Sequence, residues 1–124
     1  MSRIVILGAG VSGHTAGAFA RHWLGREHDV VVVSPRPDYN WIPSNIWVGV
    51  GLMTPKHVTF PLAPIYERAG IVFKQARAVA VHPDGREGDP APFVVIESTA
   101  GASAGHCWRS WWPRPRSARP PGPG

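Results

Sequence analysis

The segment Gly8-Ala9-Gly10-Val11-Ser12-Gly13 is where residue type and spacing point most directly to chemistry. It fits G-x-G-x-x-G, the pattern of a turn that cradles phosphates when it joins a strand to a helix. The three glycines have separate tasks in such a turn. Gly8 permits the tight bend, Gly10 lets the backbone approach a pyrophosphate because it lacks a Cβ, and Gly13 lets the helix pack closely on the strand. The helix start adds free N–H groups and the positive end of its dipole. A glycine-rich turn with no ligand has the same letters, so the flanking elements must decide.

The remaining reactive residues form no comparable pattern. Six histidines stand at positions 14, 22, 28, 57, 82 and 106, with no i, i+4 pair, and Cys107 is the single cysteine. Neither a metal site nor an intrachain disulfide is expected. No G-x-S-x-G elbow supports a nucleophilic triad, so no catalytic residue is assigned. His14 follows the glycine loop and reads as a solvated first-turn side chain rather than a phosphate contact. Gly49-Val50-Gly51 reads equally as a hinge or as a plain turn.

The elements around the loop supply its context. Ile4-Val5-Ile6-Leu7 is a continuous apolar run, expected as a strand buried on both faces. From Ser12 to Leu24, residues Ala16, Phe19, Ala20 and Trp23 follow i, i+3, i+4, i+7 and define the expected core face of a helix that Gly25 ends. Val30-Val31-Val32-Val33 is a second buried strand. Strand, helix and strand within 33 residues make a βαβ unit. Residues 34–57 read as a loop, whose Trp41, Ile42, Ile46 and Trp47 are too apolar for a solvated linker. Pro64–Ala69 allows a short helix stopped by Gly70, and Gly70–Phe73 a third parallel strand. Ala78–His82 and Phe93–Glu97 flank a turn-rich segment and form an expected hairpin. The fold class that follows is α/β, the N-terminal part of a Rossmann-like dinucleotide-binding domain, with a parallel sheet and a β-hairpin.

Composition bounds the function. At 124 residues the chain holds one domain, and 44% hydrophobic residues suffice for a core. The net charge is +5, but residues 1–99 contribute +1 and residues 100–124 contribute +4. The basic character therefore belongs to the tail, and no nucleic-acid partner is expected of the folded part. The longest apolar runs are far too short to span a membrane, and no signal-peptide pattern opens the chain, so a cytoplasmic location is the expectation.

One partner of the glycine loop is missing. An acid about 20 residues on, at the end of the second strand, normally binds a ribose hydroxyl. Ser34 holds that position here; Asp29 is too early and Asp38 lies beyond two prolines. Arg36, exposed in a loop, reads as a solvated side chain rather than a 2′-phosphate ligand.

Ile4–Gly13, Val30–Val33 with Ser34-Pro35, and Asn40-Trp41-Ile42-Pro43-Ser44-Asn45-Ile46-Trp47-Val48-Gly49-Val50-Gly51 together resemble the N-terminal part of the sulfide:quinone oxidoreductases. These belong to the flavoproteins with two dinucleotide-binding domains, alongside flavocytochrome c sulfide dehydrogenases and type II NADH dehydrogenases. The match runs from residue 1 to about residue 97. The resemblance implies FAD, with the ADP half bound here. It implies that Gly8, Ala9, Gly10, Val11 and Ser12 hold the pyrophosphate, with Gly13 completing the loop. It places Ser34 and Pro35 by the adenosine ribose, Ile42, Pro43 and Ser44 against the cofactor, and the Ala78 backbone at the adenine. In the family, electrons pass from sulfide through FAD to a quinone at the membrane surface. The redox cysteines, the second dinucleotide domain and the quinone site lie further along such chains. No counterpart is expected here, and Cys107 receives no catalytic role.

The domain reading is therefore residues 1–99 as a partial FAD-binding domain and residues 100–124 as a disordered Arg/Pro/Trp-rich tail. Ala, Gly, Arg and Pro fill 17 of those 25 tail positions. GC-rich codons encode these residues, so a frameshift near residue 100 would make the match and the composition change together. Without its later strands the sheet is expected to keep an unpaired edge. Two other functions fit the sequence: a nucleotide-binding module without chemistry, and an interaction protein acting through the basic tail.

Overall fold

The computed structural model describes residues 2–100 and the backbone of residues 106–109. Strand β1, Arg3–Leu7, leads through the glycine turn into helix α1, Val11–Trp23, and then strand β2, Asp29–Ser34. A short strand β3, Asp38–Asn40, a one-turn helix α2, Asn45–Gly49, and strand β4, Thr59–Pro61, follow. Helix α3, Leu62–Ala69, strand β5, Val72–His82, strand β6, Phe93–Ser98, and strand β7, His106–Arg109, complete the described residues.

The main sheet has the order β1-β2-β5-β6-β7. β1, β2 and β5 run parallel, with Ile6 opposite Val32 and Val32 opposite Phe73. β6 and β7 are antiparallel additions. The fold is α/β with a Rossmann-like βαβ start.

Strand β2 is the centre of the core, because its alternating valines serve two layers. Val30 and Val32 pack with Tyr39, Leu62, Tyr66 and Ile71 on the helix side. Val31 and Val33 pack with Ala76, Val94 and Ile96 under the β5–β6 hairpin. Gly70, at φ 70°, closes α3 in the left-handed conformation that glycine adopts most easily.

Four expectations need correction. First, β1 is half-buried rather than buried on both faces, since among the described residues it is an edge strand. Second, α1 is rotated from the expected face, with Ala20 packed on the core as expected but Phe19 and Trp23 turned away. Gly17 is its buried residue, while Phe19 is 49% and Trp23 72% exposed. A Cβ on Gly17 would come within 3.2 Å of Val32 Cγ2, so this close crossing admits small side chains and turns the aromatics outward. Third, residues 34–57 are not one loop, because β3 pairs antiparallel with β4, Tyr39 opposite Phe60. Fourth, the third parallel strand and the first hairpin strand are one strand. β5 pairs β2 through Val72–Gln75, then β6 through Ala76–His82, with a register shift between Ala78 and Ala80.

Within the segment read as a disordered tail, His106–Arg109 pair with β6 through Phe93–Ile96. A strand edge offers unpaired N–H and C=O groups to any extended backbone, so this pairing needs no hydrophobic period. The rest of that tail reading, residues 101–105 and 110–124, lies outside the described residues.

Candidate functional site

The glycine turn has the geometry that its sequence implies. Gly8 takes φ +100°, and its N–H donates to the Val33 carbonyl at 2.7 Å, tying the turn to the end of β2. A Cβ on Gly13 would overlap the Gly8 carbonyl oxygen and lie 2.9 Å from its carbon. The third glycine is thus required by helix–turn contact. The second is different, since a Cβ on Gly10 would meet nothing within 4 Å. The space over Gly10 is open, and the backbone there can be approached from outside.

Helix α1 begins at this open space. Gly10 is its N-cap and supplies no side-chain hydrogen bond, and the first turn carries no acid. The first helical hydrogen bond runs from the His14 N–H to the Gly10 carbonyl at 2.8 Å. The N–H groups of Val11, Ser12 and Gly13 therefore lack helical partners and point out of the helix start. Partial positive charge with no acid in the helix's own first turn suits an anion.

A cleft of about 230 Å³ adjoins this helix start, lined by Ala9, Gly10 and Val11 from the turn, Ser34 from β2, and Asp38 and Asn40 from β3. Arg36, Tyr39 and Ile42 complete its wall. A pocket that encloses a whole ligand has a volume of about 300–1,000 Å³. The cleft here suits a section of a nucleotide, with the remainder lying outside. It opens at the carboxyl ends of parallel strands, where ligands bind in open α/β sheets.

Of the residues singled out in the sequence, the structure brings Ala9, Gly10, Val11, Ser34 and Ile42 to one cleft. Gly8 and Gly13 shape the turn behind it, and Ser12 stands exposed in the first turn of α1. Pro35 is beside Ser34, and its carbonyl accepts a hydrogen bond from Thr99 Oγ1 at 2.9 Å. Pro43 and Ser44 belong to a short 3-10 turn after Ile42 and do not line the cleft. Ala78 stands apart on β5, packed against the Val31 and Val33 cluster.

Asp38, which its place beyond two prolines sets aside in the sequence, lines the cleft with Asn40. Strand alternation in β3 was the missing signal: Tyr39 is buried, while Asp38 and Asn40 are exposed. His14 is not a solvated side chain. Its ring lies 5.3 Å from that of Tyr39 and 5.5 Å from that of Tyr66, and its Nδ1 is 3.1 Å from the Tyr66 hydroxyl. Burial, and secondarily the neighbouring Tyr39, push the Tyr66 phenol above its ordinary value, so it stays neutral as a hydrogen-bonding group. This His14–Tyr66 contact joins α1 to α3 beneath the cleft.

The apolar side chains after the cleft have no cover among the described residues. Ile46 is 66% and Leu52 72% exposed. No helix among the described residues is long and apolar enough to cross a membrane.

No family model matches the chain. Its fold is similar to that of the sulfide:quinone oxidoreductase from the hyperthermophilic bacterium Aquifex aeolicus, with a TM-score of 0.65 and 24% sequence identity. The match covers 78% of this chain and 21% of that one, so the chain spans about a fifth of the length of the protein it resembles. At this identity the likeness establishes the α/β fold and nothing finer.

Proposed function

We propose that the chain binds the ADP part of FAD at the glycine turn, as the nucleotide-holding portion of a sulfide:quinone-type oxidoreductase. The observation that carries this reading is the open space over Gly10 at the start of α1, where a Cβ would meet nothing within 4 Å. The unpartnered N–H groups of Val11, Ser12 and Gly13 face a pyrophosphate there, with the helix dipole behind them. Ser34, with Pro35 beside it, flanks the ribose, and Ile42 forms the cleft wall toward the flavin; the contacts of Pro43 and Ser44 with the cofactor stand on the family resemblance. The Ala78 role at the adenine stands on the family resemblance alone.

Bound FAD would supply two-electron redox chemistry, in the whole enzyme between sulfide and a quinone. This chain's own residues bind and orient; none is given a catalytic role. Residues 1–99 are proposed as the nucleotide-binding unit and residues 100–124 as a tail whose His106–Arg109 add a strand to its sheet. The proposed location is cytoplasmic, with the whole enzyme peripheral to a membrane.

The test is gel filtration of purified protein after incubation with FAD, monitored by flavin absorbance. Flavin is expected to co-elute with folded protein. Folded protein that elutes without flavin but retains ADP in a parallel run points to the second reading, a nucleotide-binding module without redox chemistry. Retention of neither ligand overturns both.

A further inference from the structure

We infer that Asp38 is the residue that reads the ribose hydroxyls at this cleft, and that it sets a preference for nucleotides with a free 2′-hydroxyl. The inference rests on the nucleotide reading above and names a specificity residue within it. Where an acid ends the second strand, that acid takes this role. Here the position is Ser34, which is 6% exposed and whose Oγ accepts the Arg36 N–H at 3.4 Å. A ribose presents two neighbouring hydroxyl donors, and a carboxylate has two oxygens to accept both. A single hydroxyl already engaged with backbone does not replace it.

The chain supplies a carboxylate from another element. Asp38 opens β3 and lines the same cleft as Gly10 and Ser34. It is held there by backbone and packing rather than by its own side chain. The Leu62 N–H donates to the Pro37 carbonyl at 2.9 Å just before β3, and the Trp41 N–H donates to the Val58 carbonyl at 2.7 Å just after it. Between them Tyr39 is buried and stacks on Phe60 at 4.9 Å, which anchors the opposite face of the strand. Asp38 and Asn40 are thereby turned outward on a fixed support. The Asp38 carboxylate makes no hydrogen bond or ion pair among the described residues, so it is available to a ligand. Its charge disfavours a 2′-phosphate at the same place. Arg36, also on the cleft wall, would accommodate that phosphate once the Asp38 charge is removed.

The experiment is calorimetric titration of the full chain with ADP and with 2′-phospho-ADP. The wild-type chain is expected to bind ADP at least about tenfold more tightly than its 2′-phosphorylated form. In Asp38→Asn, ADP affinity should fall about tenfold and the gap between the two ligands should close. Asp38→Ala should behave alike, which excludes an effect of the new amide. Both variants should keep the wild-type melting temperature, because Asp38 is exposed. Unchanged ADP affinity in Asp38→Asn, or an undiminished preference for ADP, overturns the inference and leaves the nucleotide reading standing. Failure of the wild-type chain to bind either ligand overturns both.

Discussion

Replacing Gly13 and Gly10 by alanine, one at a time, should separate fold from binding. At position 13 the new Cβ would overlap the Gly8 carbonyl oxygen, lie 2.9 Å from the Gly8 carbon and sit 3.5 Å from Ile6 Cγ2. The Gly8 carbonyl is backbone, and the Gly8 N–H is bonded to Val33 at 2.7 Å, so the turn cannot yield cheaply. Relief requires lifting the start of α1 off β1. Overpacking of this kind costs about 1–3 kcal/mol, and a backbone clash belongs at the upper end. Alanine returns about 1 kcal/mol through helix propensity. The expected net loss is about 2 kcal/mol, or a fall of about 10 °C in melting temperature for a domain of this size. Gly10 has φ −73° and open space around it, so Gly10→Ala should cost no more than the N-cap preference, about 1 kcal/mol. That variant should nevertheless bind nucleotide poorly, since its methyl group occupies the approach to the phosphates. Denaturant unfolding followed by far-ultraviolet circular dichroism measures both. A Gly13→Ala chain within about 0.5 kcal/mol of wild type, or less destabilised than Gly10→Ala, would refute the reasoning.

Two further outcomes follow from the core. Leu62, fully buried among Val30, Val32 and Tyr66, should cost about 2–5 kcal/mol when cut to alanine, read from the denaturant midpoint. A loss below about 1 kcal/mol would mean that α3 does not close this core. Tyr66 predicts an alkaline limit. Its folded-state value is raised above the ordinary 10.0, so the folded chain holds the proton more tightly than the unfolded chain does. That contribution is complete below about pH 10 and is lost as pH rises through the raised value. Melting temperatures between pH 8 and 11 should therefore fall less steeply in Tyr66→Phe than in wild type; parallel curves would contradict the shift.

The parts of the fold legible in the sequence are those set by local chemistry. The apolar run of β1, the glycines of the turn and the four valines of β2 announced a βαβ unit, and Gly70 marked the end of α3. What stayed hidden depends on partners distant along the chain. The period of α1 is as well satisfied by Ala16, Phe19 and Trp23 as by the small residues that face the sheet. Only the close approach to Val32 selects Gly17. β3 is three residues long, and it becomes a strand because Thr59–Pro61 returns beside it and Tyr39 stacks on Phe60. The same return brings Asp38 back to the glycine turn across the two prolines that had placed it out of reach. β5 changes partner midway without any change in composition to mark it. His14 illustrates the same limit at one residue, since Tyr66 lies 52 positions away.

The central claim is that the glycine turn receives a nucleotide, and amide chemical-shift mapping of the isotope-labelled chain during titration with FAD tests it most directly. Saturable shifts concentrated at Ala9, Gly10, Val11, Ser12 and Ser34 are the predicted result. Shifts that are absent, or that fall elsewhere on the molecule while the glycine turn stays unmoved, would contradict it.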